Sequence, residues 1–339
     1  MSRIIAAGWG AVSPAGWTAA DLVAALQAGE PLPVDESVRA GTTKTLRARK
    51  VPKPATRPAF ITHPRFRRTS PVSQYAVSAA LGALVEDRAL VEQGTLRLGV
   101  VFCVMSGCVN YSRRFYDEVL RDPATASPLV FPETVFNAPA SHLAALLGAT
   151  GINYTLVGDP GMFLQGLAQG AQWIKRGQVD ACLVVSAEEG DWMTVEASAL
   201  FEPKMVVSEG AGAIYLKGAT SGKVSLEGIT DAYSFNDSNS KATAAAQMQM
   251  ELMQAGAVDW LCDSLSGCVA SDKAEAAAWA SAIAPRWSAK KILGEAFAAT
   301  SAWQCVLACE RVASQAATSV NVSVVGCNQQ AIGARWSKA

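Results

Sequence analysis

The sequence predicts an α/β protein made of two series of alternating strands and helices, with mostly buried, parallel strands. Apolar runs of strand length, such as LGVVF and ACLVVS, are bounded by Gly, Pro and polar residues. Ala-rich segments with helical spacing separate these runs, and the alternation restarts at about residue 222 after a glycine-rich turn. With 339 residues, 50% of them hydrophobic and 17% charged, the chain has surface for a large core and for burial in an oligomer.

Ile4 to Gly8 reads as a buried strand that ends in a Gly and Pro turn, and Ala19 to Leu26 carries helical spacing. Residues 37–85 hold ten Lys or Arg and no Asp or Glu, and 51–64 are rich in proline, which predicts an extended basic excursion. A helix over Ser73 to Leu90, a strand over Leu98 to Phe102 and helices over Ser112 to Leu120 and Ala138 to Leu147 follow. Next come strand Tyr154 to Val157, helix Met162 to Arg176 and strands Ala181 to Ser186 and Gly212 to Leu216. The second series has strands over Val224 to Ile229, Val258 to Cys262 and Asn321 to Val325. Its helices run over Thr243 to Ala255, Ala274 to Ile283 and Ser301 to Ala313.

A formal net charge of zero gives no global pull toward nucleic acid or membrane, so any charged docking site is local. The eight cysteines are scattered without a CxxC pair or a histidine cluster, which predicts reduced, buried thiols and no metal site. Of these, Cys103 and Cys108 flank VMSG after an apolar strand, where a displaced thiol nucleophile is conceivable. The opening MSRIIAAGWGAVSPAGW fits neither a signal peptide nor a membrane span, and a cytoplasmic location is expected. GDPG at 158–161 lacks the lysine and spacing of a phosphate loop, so nucleotide binding is set aside and no cofactor is expected.

The segment GINYTLVGDPGMFLQGLAQGAQWIKRGQVDACLVVSAEE resembles the nucleophile region of β-ketoacyl-acyl carrier protein synthases. SEGAGAIYL at 208–216 is similar to that family's GEGAG turn, and ASPLVFPETVFNAPASHLAALLG to its interface segment. SLSGCVASDKAEAAA at 264–278 and KKILGEAFAATSA at 290–302 resemble the two histidine motifs in worn form, and VVGCNQQ resembles the closing glycine-rich loop loosely. The resemblance implies the thiolase-like αβαβα five-layer fold, made of two related α/β halves: 1–218 and a shortened 219–339.

In such an enzyme a Cys in the turn before a helix accepts the acyl chain, and two histidines assist decarboxylation and stabilise the enolate. Carried onto this chain, those positions fall at Pro160, Ser264 and Glu295. Proline cannot be acylated, and an ionised Glu295 would repel an enolate. His63 and His142, the chain's two histidines, cannot rebuild the set, being read as a loop residue and a helix surface or interface residue. The lysine matched to the family is Lys291, a candidate to pair with Glu295 or Asp159.

The implied function is that of a chain length factor, a non-catalytic relative that pairs with an active ketosynthase in polyketide or fatty-acid-like elongation. FPETVFNAP resembles the condensing proteins of aryl-polyene systems. On this reading Phe131, Thr134, Phe136, Met162 and Phe163 face the partner's acyl tunnel or the dimer seam, or else pack in the core. Arg47, Arg49, Lys50, Arg65, Arg67 and Arg68 would help dock an acidic acyl carrier protein, or else form a solvated basic loop. Two alternatives stay open: an acyltransferase or hydrolase using Ser264, Glu295, Asp159 or a cysteine in new roles, and a homodimeric scaffold for acyl carrier protein.

Overall fold

The computed structural model describes residues 3–38, 43–66, 68–327 and 329–339. Its frame is one continuous sheet that contains the same strand pattern twice. In the first half, β1 (Arg3–Val12), β2 (Leu98–Val104), β3 (Asn153–Val157), β4 (Ala181–Glu188) and β5 (Gly210–Ala219) lie in the order β3-β2-β4-β5-β1. In the second, β6 (Val224–Ile229), β7 (Trp260–Asp263), β8 (Arg286–Ser288), β9 (Ser319–Val325) and β10 (Gln330–Lys338) repeat it as β8-β7-β9-β10-β6. Both halves also share strand directions. The first three strands in each order run parallel, and the remaining two join antiparallel. The halves meet where β1 pairs antiparallel with β6, Ile5 opposite Ser225 and Ala6 opposite Val224.

Helices complete five layers. Helix α1 (Pro71–Ala83) covers the outer face of the first half-sheet beside α2 (Ala138–Leu147). Between the two half-sheets lie α3 (Met162–Lys175) and α6 (Ala298–Ala313), and α4 (Ser238–Gln254) with α5 (Val269–Ala278) covers the far side of the second. The middle layer is the core: in α6 the buried Trp303 donates its ring N–H to the carbonyls of Val12 and Ala211, which ties β1 and β5 of the first half to a side chain of the second. Small residues set the outer layer. A Cβ on Gly10 would stand 2.2 Å from the Ala79 carbonyl oxygen of α1, so glycine is what lets helix and strand backbones approach this closely.

Several expectations need correction. Strands β1, β5, β6 and β10 lie antiparallel to their neighbours, so the sheet is mixed and not mostly parallel. Sequence reading missed β10 because QAIGARWSK has Gly, Arg and Lys where a central strand usually carries β-branched residues. Its Arg335 is nonetheless satisfied at depth by Glu227 at 2.8 Å and by the Gly256 and Ala257 carbonyls. The helix expected over 73–90 ends at Ala83, and a short second helix spans Arg88–Glu92. Between them Asp87 accepts from the Tyr215 hydroxyl and the Lys217 ammonium, which pins the break to β5. The basic stretch is not wholly extended either: Asp35–Val38 pairs antiparallel with Thr45–Arg49, which in turn pairs with Val207–Ser208 in a small second sheet.

Candidate functional site

Strand β3 leaves the sheet at Val157, and the turn 158–161 leads into α3. Pro160 is buried at this turn, and its carbonyl accepts the Ser301 hydroxyl of α6. Asp159, 1% exposed, accepts from the backbone N–H of Cys327 at 2.9 Å, of Gln329 at 3.2 Å and of Gln330 at 3.0 Å. It therefore anchors the loop before β10. Gly326 is required there, because a Cβ would stand 1.8 Å from Asp159 Oδ2.

Ser264 follows β7 and is buried. Its hydroxyl donates to the Glu275 carboxylate of α5 and accepts from the Val325 N–H at 3.1 Å, while its own N–H donates to Glu275 at 3.0 Å. The Ser323 hydroxyl also donates to Glu275. Burial, with the charge of Asp263 behind it, raises the Glu275 carboxyl above the usual range. The serine thus knits α5 to β7 and β9, with both hydroxyl functions engaged.

Glu295 is equally committed. Its Oε2 lies 2.5 Å from Lys290 Nζ, and its Oε1 accepts from the Phe297 N–H at 2.7 Å and the Thr300 hydroxyl at 3.2 Å. Both ends of the ion pair are buried. The pairing lysine is Lys290, not Lys291: the helix Ala289–Leu293 turns Lys290 inward, and Lys291 stays exposed. Burial, the largest single influence, would lower the Lys290 pKa, but the charge and hydrogen bond of Glu295, with the charge of Glu275, together outweigh it and the net shift is upward.

The thiol that reaches this region is Cys327. Its Sγ lies 3.0 Å from Asp159 Oδ1 and 4.0 Å from Met105 Sδ, and it is exposed where the other seven cysteines are buried. Although part of its surface is open, the protein atoms packed around its Sγ desolvate it and, with the charge of Asp159, push its pKa up. Buried thiols at Cys103 and Cys108 are likewise raised by desolvation, which removes the displaced nucleophile conceived for them. Sequence reading passed over Cys327 because its place depends on the contact between Asp159 and the loop, 168 residues apart.

The remaining candidates separate into two groups. Phe131 and Phe136 are exposed on the segment before α2, with Phe131 against Phe115 at 5.4 Å and half-buried Thr134 donating to the Phe131 carbonyl. Met162 is half-buried, and Phe163 is fully buried in the core between the half-sheets, so Phe163 faces no seam. Among the basic residues, Arg47, Lys50, Arg65 and Arg68 are exposed, Arg67 lies outside the described residues, and Arg49 is buried. Arg65 donates to Nδ1 of His142 at 3.3 Å, and His142 Nε2 meets Glu133 at 2.8 Å. His142 is thus a buried structural residue and not a surface one.

At the C-terminal end of β4, Glu188 accepts the Met105 N–H at 2.5 Å and the Ser106 N–H at 3.0 Å, and desolvation raises its carboxyl to about 8. A raised acid holds a proton in the fold that the unfolded chain releases, so its contribution is full below about pH 4.5 and is lost as pH rises toward 8. Glu189, Glu275 and Asp263 shift in the same direction through burial. Stability in urea is expected to fall between pH 5 and 8 by on the order of 3–5 kcal/mol. Glu188→Gln should flatten that slope, and an unchanged slope would show that other groups set it.

No described helix is long and apolar enough to cross a membrane, and no metal-binding group of His, Cys, Asp or Glu occurs among the described residues. Neither a family model nor a curated protein sequence matches the chain. Solved structures do match in fold. A β-ketoacyl synthase from Burkholderia phymatum STM815 superposes with a TM-score of 0.82 at 18% identity, over 100% of both chains. The ishigamide ketosynthase/chain length factor gives 0.81 at 20% identity over 99% of each chain. The ketosynthase (ApeO) in complex with its chain length factor (ApeC) from Xenorhabdus doucetiae gives 0.77 at 15% identity, covering 100% of this chain and 98% of that one. The fold is therefore that of the thiolase-like ketosynthases and chain length factors.

Proposed function

We propose that this chain is the non-catalytic, chain-length-factor-like subunit of a ketosynthase pair, acting in polyketide or fatty-acid-like elongation with an acyl carrier protein. The observation that carries this reading is the state of the three positions where condensing chemistry would sit. Pro160 offers no nucleophile, the Ser264 hydroxyl is bound on both sides, and Glu295 neutralises a buried lysine. Each is built into packing, so each supports a structural role. An acyl-thioester carbonyl would find no thiolate there, and its enolate no imidazole donor.

The surface supports a partner. Strand β3 forms one edge of the sheet, and Tyr154 and Val157 on it are 52% and 50% exposed. Val157 pairs with Val104, and three residues beyond Val104 the Gly107 backbone packs against the exposed Phe136 ring. An open edge bordered by apolar side chains is a surface that associates.

Co-expression with the ketosynthase encoded nearest to its gene tests the proposal by size-exclusion chromatography with mass detection and by product analysis. A 1:1 complex is expected, inactive without the partner's cysteine, with product length altered by Phe131→Ala or Phe136→Ala. A homodimer indifferent to the ketosynthase would favour a scaffold. Acyl transfer by this chain alone, lost on Ser264→Ala or Cys327→Ala, would favour an enzyme.

A further inference from the structure

The buried Arg49 lies in a cavity of about 260 Å³ between the strand Thr45–Arg49, the strand Val207–Ser208 and the helix Trp192–Phe201. Its Nε donates to the Leu32 carbonyl at 2.8 Å. Among the described residues its terminal nitrogens have no hydrogen-bond partner, and no carboxylate lies within ion-pair distance. Burial and the neighbouring Arg47 lower its pKa.

The acids that line the same cavity are already committed. Glu209 accepts from the Val51 and Gly190 N–H groups and the Tyr75 hydroxyl, and Asp191 pairs with Arg113 at 2.8 Å. Ser208 also lines the cavity; its hydroxyl is shielded from solvent and has no partner within the fold. The Ser208 hydroxyl is a buried polar group of the kind that structures normally satisfy, and the Arg49 guanidinium, with no protein partner for its terminal nitrogens among the described residues, lines the same cavity. Leu46, Val195 and Val207 supply an apolar wall beside them.

The geometry points to a second binding site: this cavity takes a small aliphatic carboxylate, its head on Arg49 and Ser208 and its chain on Leu46, Val195 and Val207. A planar guanidinium fork matches a carboxylate through two parallel hydrogen bonds, and the apolar wall selects a chain over a hydrated ion. The volume falls below the roughly 300–1,000 Å³ of cavities that hold drug-sized ligands, so the ligand is short. The site is separate from the Pro160 turn yet joined to Glu295 through backbone, because Ser208 N–H donates to the Glu295 carbonyl and Glu295 N–H to that of Val206.

Titration of the full chain with hexanoate, 1-hexanol and inorganic phosphate, followed by calorimetry and ligand-observed NMR, tests the assignment. Saturable 1:1 binding of hexanoate is expected, with hexanol and phosphate at least tenfold weaker. Arg49→Gln should weaken hexanoate at least tenfold. Val195→Phe, which fills the cavity and keeps the guanidinium, should do the same, so the test stands even if the first variant misfolds. Hexanoate binding undiminished in the folded variants, hexanol or phosphate binding as tightly, or no saturable binding by the wild type would each overturn the site.

Discussion

Lys290→Met is expected to destabilise the protein by about 3–5 kcal/mol, because it strands the Glu295 carboxylate in the core without its counter-ion. Glu295 would keep the Phe297 N–H and the Thr300 hydroxyl, but these dipoles do not replace a charge 2.5 Å away. The double variant Lys290→Met with Glu295→Gln should recover most of the loss. Glutamine keeps an oxygen for Phe297 N–H and Thr300, and the buried pair, with its desolvation penalty, is gone. Urea denaturation of the three proteins measures both effects. A single variant as stable as the wild type would mean that Glu295 is not charged in the fold. A double variant no better than Lys290→Met would locate the cost in packing instead. The distinction bears on function, since a carboxylate spent on a lysine is a structural group at a position where a condensing enzyme needs a donor.

What the sequence could tell depended on the range of the interactions involved. Helix α2 and strand β6 begin and end in the structure at the residues predicted, Ala138 to Leu147 and Val224 to Ile229, because periodicity and the Gly and Pro boundaries are local signals. Direction in the sheet is not local. Whether β5 runs parallel or antiparallel to β4 depends on how the connection between them, with the helix Trp192–Phe201, returns to the sheet. The choice between Lys290 and Lys291 turns on which side of one short helix faces the core, and adjacent residues in a sequence carry no mark of that. Arg49 misled for a related reason: among many basic residues it reads as solvated, and only the pairing of its strand with Val207–Ser208 buries it. Cys327 reaches the Asp159 turn by a contact between the two halves, which no window on one segment contains.

Val157→Lys is expected to weaken the proposed complex with a ketosynthase at least 100-fold while leaving the chain's own unfolding midpoint unchanged. Half of the Val157 surface is open in the isolated chain, so a lysine there can extend into water at little cost to the fold. In a complex built on the β3 edge the same ammonium would be desolvated at the centre of an apolar contact, against unpaired strand groups of the partner. A loss of 100-fold corresponds to about 2.7 kcal/mol, within the range for a central interface residue replaced by an unpaired charge. Ile283, fully exposed in the second half, serves as the control: Ile283→Lys should leave association intact. Size-exclusion chromatography and calorimetry of the two variants against wild type read the outcome. Equal loss in both would point to a general effect of charge. If Val157→Lys still binds as wild type, the partner docks elsewhere, and the open edge of β3 needs another explanation, such as self-association of this chain.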